Sequence, residues 1–420
     1  NPQKVSTLAE GLKEAASDVL GELPDLWHFH NHSLGKNPAL PPVVRSLAED
    51  GHRLLLQIHD FAEDARPGNY SRLVSEIADG NASALGRALY PISDHVHYAL
   101  LNRGTLVEAG APPEQCHQLP NPVTMGDEPV EQVEPPSGPP RYLYPARAIR
   151  RKNVGEVLLW AALAQQDETF SITRAPRNPD MRSIYHRWVD FSRSLDLPVE
   201  FEAGENTDAS LLNLMQDATA MITTSVAEGF GMCFLEPWLA HRPVVGRNLP
   251  AITSDFDEKG LDLSALYSRL DIPVEWAGRS ALMESIEEKL REYRARYNRG
   301  TSEDDVEAAW QAIVRDDMAD FGRLDEPLQE RAIRVAVQET DASERVTPPD
   351  LRCGRTDADT VKANRAVVTR DFSVEAYGRN LTELYRRVAG SAKGEVGGLS
   401  AEIVLESFIS PDNFSLLRTG

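Results

Sequence analysis

Cysteine, long apolar runs and positive charge are all scarce in this sequence of 420 residues. Its three cysteines, Cys116, Cys233 and Cys353, are scattered, so no disulfide framework is expected and a reducing compartment, the cytoplasm, is favoured. No apolar run approaches the roughly 20 residues that span a bilayer, and no secretory signal is recognised, so no membrane segment is expected. Lysine and arginine number 44 against 65 acidic residues, and the net charge of −21 argues against nucleic acid as a partner.

What the sequence does contain is two series in which short β-rich runs alternate with helical patterns. Residues 1–123 hold the first series and residues 141–372 the second. The segment between them, 124–140, is rich in Pro and Glu and predicts a linker. Alternating strands and helices predict an α/β fold with a parallel sheet in each half. Residues 373–420 start with an amphipathic helix pattern and form a carboxyl-terminal tail.

The most informative stretch carries Glu228 and Glu236, eight residues apart, around the turn Gly229–Phe230–Gly231. The apolar run at 218–223 predicts a buried strand before the turn, and the run at 232–240 predicts a helix after it. Where a strand passes through such a turn into a helix, free backbone N–H groups and the helix dipole favour an anion. Carboxylates on both sides can hold hydroxyl groups. A diphosphate with hydroxyls describes a nucleotide-sugar.

The segment from Ser225 to Val245 resembles the donor-site signature of the family 4 retaining glycosyltransferases, in which two glutamates lie eight residues apart. Upstream, Arg147 and Lys152 resemble the family's Arg/Lys pair that binds the donor diphosphate. The pair His59–Asp60 is similar to the histidine that closes a strand of the family's amino-terminal domain. The resemblance implies the GT-B architecture, with two Rossmann-like domains facing across a cleft and carboxyl-terminal helices crossing back.

The resemblance also implies a role for each part of the chain. Residues 1–123 would form the acceptor-side domain, residues 141–372 the donor-binding domain, and residues 373–420 a helix and tail that return toward the first domain. The family normally begins with a strand and a glycine-rich loop, and nothing before Asp25 resembles them. We therefore expect residues 1–123 to lack that first strand and loop.

Four residues are the catalytic candidates on this basis: Glu228, Arg147, Lys152 and His59. By resemblance, Glu228 would contact hydroxyls of the transferred sugar, and Arg147 and Lys152 would bind the diphosphate. Donor-binding candidates are Glu236, for the ribose hydroxyls, and Gly229, Phe230 and Gly231, whose backbone N–H groups would face sugar and phosphate.

Acceptor-side candidates are His30, His32, Lys36 and Asp60. With His28, the first two place three imidazoles on one strand face at a spacing of two, a pattern also found in metal-dependent hydrolases. Later histidines fall in predicted helices, where they would not complete a ligand set, so no metal ligand is assigned. A structural role for each of these histidines stays open.

Together these observations predict a retaining glycosyltransferase that moves a hexosyl group from a UDP- or GDP-sugar to a small soluble acceptor, with no metal and no other cofactor. The alternatives are a GT-B sugar-nucleotide epimerase, a non-catalytic nucleotide-sugar-binding protein and a metal-dependent hydrolase. The sequence identifies neither the donor sugar nor the base, the acceptor or the oligomeric state.

Overall fold

The computed structural model describes residues 2–78, 81–101, 104–126, 130–165, 167–351 and 356–419, so Cys353 lies outside the described residues. The chain divides into two compact units. Unit 1 comprises Asn1–Asn121, Tyr293–Gly300 and Glu375–Ser410, and unit 2 comprises Pro122–Glu292, Thr301–Val374 and Pro411–Gly420. No helix of the described ranges combines the length and the apolar composition that crossing a bilayer requires.

The strands of the described chain are short and follow the predicted alternation with helices. They are β1 (Trp27–His30), β2 (Leu54–Ile58), β3 (Pro91–Ile92), β4 (Val96–Leu100), β5 (Cys116–Gln118), β6 (Arg141–Arg147), β7 (Thr169–Arg174), β8 (Val199–Phe201), β9 (Ala220–Thr223), β10 (Val244–Arg247), β11 (Leu266–Tyr267), β12 (Asp271–Pro273), β13 (Val314–Arg315), β14 (Met318–Asp320) and β15 (Gly397–Gly398).

The α-helices vary from one turn to five. They are α1 (Pro2–Leu20), α2 (Leu40–Glu49), α3 (Pro67–Ile77), α4 (Ala82–Leu89), α5 (Gly104–Glu108), α6 (Val154–Ala162), α7 (Pro179–Ser194), α8 (Leu211–Gln216), α9 (Glu236–Leu239), α10 (Pro250–Glu258), α11 (Val274–Ala277), α12 (Arg279–Ala295), α13 (Glu303–Ile313), α14 (Glu326–Gln338), α15 (Ala358–Asp371), α16 (Val374–Ala389) and α17 (Ala401–Ile409).

Unit 1 is built on a parallel sheet with the strand order β1-β2-β4-β5. Every residue of β2 and β4 is buried, as expected for strands covered on both faces. The last part of the chain belongs to this unit, since Leu384 and Val388 of α16 are buried against Leu55 and Ala99 of the sheet. The pair β3 and β15 adds a short antiparallel ribbon.

Unit 2 is built on a parallel sheet with the strand order β11-β10-β9-β6-β7-β8. Counted along the chain from β6, this is the order 3-2-1-4-5-6 of dinucleotide-binding domains, read across the sheet from β8. The chain leaves β6 toward β7 on one side and leaves β9 toward β10 on the other. The carboxyl ends of the adjacent strands β6 and β9 therefore form a topological switch point, where open α/β sheets bind their ligands.

A buried ion cluster fixes the start of α6 in unit 2. The Arg247 guanidinium donates to the Glu156 carboxylate at 2.7 Å and to the Asp320 carboxylate at 2.8 Å, and all three side chains are almost fully buried. Tyr267 donates to the same Glu156 carboxylate at 2.8 Å. Since Glu156 lies in the first turn of α6, the cluster holds the helix and the loop before it against β10 and β14.

The α/β prediction with two parallel sheets is confirmed, but the predicted helix at 232–240 is wrong. The segment forms a 3-10 turn at Met232–Phe234, and α9 starts only at Glu236. Pro237 explains the break, because it has no N–H to donate to the carbonyl four residues earlier and its ring crowds the preceding turn. A helix of four residues has little dipole, so that part of the anion-site argument does not hold.

Two short segments belong to a different unit from the residues that precede them in the chain. Residues 293–300 belong to unit 1, where Tyr297 packs on Tyr70 with ring centroids 5.5 Å apart. Residues 411–420 belong to unit 2, whose core includes Phe414 and Leu416. The division into domains at 123, 140 and 372 stays a prediction.

The segment 124–140 has neither helix nor strand over its described part, 124–126 and 130–140. It is nevertheless held in unit 2, because the buried Arg242 donates to the carbonyls of Val133 and Glu134 at 2.9 and 3.1 Å.

Candidate functional site

The switch point of unit 2 brings Lys152 and Glu228 together. Lys152 lies in the 3-10 turn that follows β6, and Glu228 lies in the loop that follows β9. The Lys152 ammonium forms an ion pair with Oε1 of Glu228, and Nη1 of Arg151 lies 2.9 Å from Oε2. Two residues predicted for the donor site are therefore in direct contact. Arg151, which was not among the predicted site residues, completes the group.

Hydrogen bonds tie the two loops together behind this ion pair. Tyr144 of β6 shares a hydrogen bond of 2.7 Å with the Ser225 hydroxyl. The Thr224 hydroxyl donates to the Lys152 carbonyl at 3.0 Å, and the Val226 N–H donates to the Arg151 carbonyl at 3.0 Å. The loops are thus fixed relative to each other, as a site that positions a reacting group requires. These hydroxyl contacts were not predictable from the sequence pattern.

The Glu228 side chain is only 8% exposed, yet its environment favours the carboxylate. Burial opposes ionisation, but the charges of Lys152 and Arg151 outweigh it and lower the pKa of Glu228. An ionised carboxylate is an acceptor of hydrogen bonds only. Glu228 can therefore bind hydroxyl groups at neutral pH.

Glu236 differs from Glu228 in having no partner. It opens α9 and is partly buried, and within the described chain its carboxylate forms neither a hydrogen bond nor an ion pair. Burial raises the pKa of Glu236, and the charge of Lys152 opposes that effect. A half-buried carboxylate without a partner is costly, so Glu236 is suited to accept hydrogen bonds from a ligand.

The turn between the glutamates presents backbone rather than side chains. Phe230 is buried against Phe256 and Phe372, with ring centroids 5.8 and 6.3 Å away. Gly231 has a φ of 91°, which favours glycine. Among the described residues, the N–H groups of Gly229, Phe230 and Gly231 have no hydrogen-bond acceptor, so they can donate to a ligand.

Arg147 does not join the Glu228 group. Its Nη1 lies 3.4 Å from the Ala175 carbonyl oxygen, in a cavity that Arg174, Arg177 and Arg182 also line. The two cations of the family signature therefore lie in two different groups of side chains.

In unit 1, His30 and His59 form a pair at the carboxyl ends of β1 and β2. Nδ1 of His30 lies 3.1 Å from Nε2 of His59, and the rings are nearly parallel with centroids 5.4 Å apart. The Asn31 side chain accepts from the N–H of His59 at 2.7 Å, which orients the loop. Burial and the neighbouring His30 lower the pKa of His59, and Asp60 opposes them. His59 is therefore neutral at pH 7.

The other acceptor-side candidates have different surroundings. Asp60 pairs with Arg66 at 2.6 Å, and Lys36 is exposed. His32 is buried, 1% exposed, and its Nε2 lies 2.7 Å from the Leu89 carbonyl oxygen. An enclosed side chain of this kind cannot touch an acceptor, so we leave His32 out of the proposed site.

His28 does not form a metal site with these residues. Its two ring nitrogens lie 2.8 Å from the Tyr385 hydroxyl and 3.0 Å from the Gln57 amide oxygen. Over the described ranges, no group of three or more His, Cys, Asp or Glu side chains is arranged to hold a metal ion.

Sequence and structure comparisons relate the chain to known glycosyltransferases. No known protein-family profile matches the chain. The mannosylglucosyl-3-phosphoglycerate synthase of Petrotoga mobilis is 25% identical, over 97% of this chain and 84% of its own length. A glycosyltransferase structure from Rickettsia africae superposes with a TM-score of 0.50 at 13% identity, covering 93% of this chain and 83% of that one. Sucrose-phosphate synthase of Thermosynechococcus elongatus has a TM-score of 0.47 at 15% identity, covering 92% and 78%.

The chain is a glycosyltransferase with the GT-B fold, and it is similar to the retaining enzymes of family 4. The glycosyltransferase prediction is thereby confirmed in preference to the epimerase and the metal-dependent hydrolase. The donor of this glycosyltransferase is a nucleotide-sugar.

Proposed function

We propose that this glycosyltransferase moves a hexosyl group from a UDP- or GDP-sugar to a small hydroxy acid of the phosphoglycerate class, with retention of the anomeric configuration. The acceptor class is suggested by the product for which the Petrotoga mobilis relative is named. The observation that carries the donor part is the contact between Lys152 and Glu228 at the switch point of unit 2.

Lys152 has the capacity to bind the donor diphosphate while it stays paired. An ammonium group has three N–H donors, and Glu228 takes one of them. The remaining two can donate to phosphate oxygens, with Arg151 adding charge beside them. Positive charge at the leaving diphosphate stabilises the transition state as the glycosidic bond breaks.

The glutamates would then hold the two sugars of the donor. Glu228, kept ionised by Lys152, accepts from hydroxyls of the transferred hexose. Glu236, which lacks a protein partner in the described chain, accepts from the ribose hydroxyls. The N–H groups of 229–231 donate to the phosphate or the hexose.

The chemical step would need no protein base. The transition state of glycosyl transfer resembles an oxocarbenium ion. As the diphosphate leaves, its oxygen takes the proton of the acceptor hydroxyl that attacks on the same face. In unit 1, the neutral His59 would hydrogen-bond to a substrate hydroxyl, and His30 would orient it through the bond of 3.1 Å.

A panel of nucleotide-sugars tests this proposal. UDP-glucose and GDP-mannose, each combined with 3-phosphoglycerate or a glycosylated phosphoglycerate, should give one product of the expected mass with a retained anomer. Glu228→Gln and Lys152→Ala should lower kcat/KM by about 100-fold or more, since each removes charge at the reacting centre. Matched controls are Glu288→Gln and Lys362→Ala, exposed residues of unit 2.

Two outcomes would contradict the proposal. Turnover that survives both Glu228→Gln and Lys152→Ala would exclude the assigned donor site. Transfer to neutral sugars but to no phosphorylated or carboxylated acceptor would exclude the acceptor class and leave the donor site standing.

A further inference from the structure

A cavity of about 310 Å³ opens in unit 2 beside Arg147, and four arginines line it. Arg147 ends β6, Arg174 ends β7, Arg177 lies in the following loop, and Arg182 lies in the first turn of α7. The cavity is therefore at the carboxyl edge of the sheet, on the β7 side of the switch point.

The positive charge of this cavity is only partly compensated. None of the four guanidinium groups forms an ion pair within the described chain, although the whole protein carries a net charge of −21. Among the described lining residues, Glu205 supplies the one carboxylate. Four like charges around one cavity repel each other, and a bound anion would relieve that repulsion.

Backbone hydrogen bonds fix the walls of the cavity. The Ala148 N–H donates to the Arg174 carbonyl, and the Gly204 N–H donates to the Thr173 carbonyl, both at 3.0 Å. A Cβ at Gly204 would lie 3.2 Å from that same oxygen, so glycine permits the close approach. The loops after β6, β7 and β8 are thus held together, and the arginines project from a fixed frame.

We propose that this cavity binds an anionic oxygen group, phosphate or carboxylate, of a substrate. Guanidinium groups bind such groups through paired N–H donors in a planar fork. Two sources share this chemistry: the donor diphosphate, which Arg147 would share with Lys152, and the acid group of the acceptor. The assignment to a substrate rests on the proposed function, whereas anion binding itself does not.

Inorganic phosphate is the first probe, with calorimetry as the measurement. The triple variant Arg174→Gln/Arg177→Gln/Arg182→Gln should bind phosphate at least about tenfold more weakly than wild type, as expected for the loss of one charged hydrogen bond or more. Arg193→Gln, in the last turn of the same helix α7, is the matched control and should bind as wild type does.

The triple variant should also fold as well as wild type, because it removes mutual repulsion and a cation near the amino end of α7. Its thermal midpoint without phosphate should equal or exceed that of wild type, while phosphate should raise the midpoint of wild type alone. A triple variant that binds phosphate as wild type does would overturn the proposal, and so would a wild type that binds none.

Saturating UDP or GDP then identifies the source. If phosphate no longer binds in the presence of the nucleotide, the cavity is assigned to the donor diphosphate. If phosphate and nucleotide bind together and 3-phosphoglycerate competes with the phosphate, the cavity is assigned to the acid group of the acceptor. Either result supports an anion cavity. Phosphate binding in a protein that turns over no nucleotide-sugar would keep the cavity and refute the proposed function instead.

Discussion

The Lys152 ammonium lies against the Glu228 carboxylate, although 76 residues separate the two in the chain. Parallel pairing of β6 with β9 brings them together, since each residue is in the loop that follows its strand. The cation proposed for the diphosphate therefore stabilises the ionised form of the carboxylate proposed for the hexose. A change at either residue should alter both halves of the proposed donor binding.

Substitutions of this pair should separate stability from catalysis. Lys152→Met leaves a Glu228 carboxylate that is 8% exposed with Arg151 as its remaining ion-pair partner, so the free energy of unfolding should fall by roughly 1–3 kcal/mol. Lys152→Met/Glu228→Gln should recover most of that loss, because no buried charge is left without its lysine. Turnover should be lost in both. Urea unfolding and donor turnover measure the two effects, and a double variant less stable than Lys152→Met would refute the explanation.

Glu63 should make stability depend on pH. This glutamate of unit 1 is fully buried, and the Tyr90 hydroxyl lies 3.0 Å from both of its oxygens. Burial raises the pKa of Glu63 from 4.5 to about 7. Because the folded pKa lies above the unfolded one, the stability from this group is complete below the unfolded value and is lost as pH rises toward the folded value.

The Glu63→Gln variant tests this dependence, since glutamine keeps a hydrogen-bond acceptor for Tyr90 and cannot ionise. Above pH 7 the variant should be more stable than wild type by on the order of 3 kcal/mol, and the difference should shrink as pH falls toward 4.5. Thermal unfolding across this pH range is the measurement. Glu22→Gln, at an exposed position of unit 1, should show no such change; an equal response in both variants would refute the role of Glu63.

The two glycines of the signature turn should respond differently to alanine. A Cβ at Gly231 would lie 2.9 Å from carbons of Ile252 and Phe234, and its φ of 91° disfavours any side chain. Gly231→Ala should therefore lower the free energy of unfolding by about 1–2 kcal/mol or more and reduce turnover. Gly229→Ala meets nothing within 4 Å and should change stability by less than about 0.5 kcal/mol. Chemical unfolding of the two variants is the measurement. Equal losses of unfolding free energy in both variants would contradict the prediction.

His30 should set the acid limb of the pH profile through His59. Burial and the proximity of His30 lower the pKa of His59. His30→Ala removes a potential cation and opens the ring to water, so the pKa of His59 should rise. The acid limb of kcat/KM should then move to higher pH in this variant. His186→Ala, an exposed change in α7, is the control and should leave the limb in place. An acid limb at the same pH in wild type and in both variants would contradict a role for His30 in the site.

Much of the sheet of unit 2 was predictable from the sequence. The buried strand predicted within 218–223 forms as β9 (Ala220–Thr223), because short apolar runs between turn residues are typical of buried parallel strands. The glycine-bearing turn and its glutamates were recognisable because they directly follow this apolar run. By contrast, α15 gave no apolar pattern. Its buried Asn364 accepts a hydrogen bond from the N–H of Asp262 and donates one to the carbonyl of Asp262, both at 2.8 Å. A polar contact of this kind leaves no periodic signal in the sequence.

The prediction for His32 assumed a strand that continues through it. The strand ends at His30, and Asn31 has a φ of 50°, which turns the chain and sends the next imidazole into the interior. The arginine cavity escaped prediction for another reason. Arg147 and Arg174 are brought together by the register of β6 with β7, and no spacing in the sequence encodes that neighbour relation.

The strand order of unit 2 also implies that the proposed donor site is completed late in the synthesis of the chain. During synthesis, β6, β7 and β8 emerge before β9, so a partly made polypeptide has the lysine but not the carboxylate that faces it. The proposed donor site needs both loops, so nucleotide-sugar should bind only once the central strands have paired. A ligand that binds the folded form alone shifts the folding equilibrium toward that form. Supply of donor should consequently protect the newly made enzyme from unfolding and proteolysis.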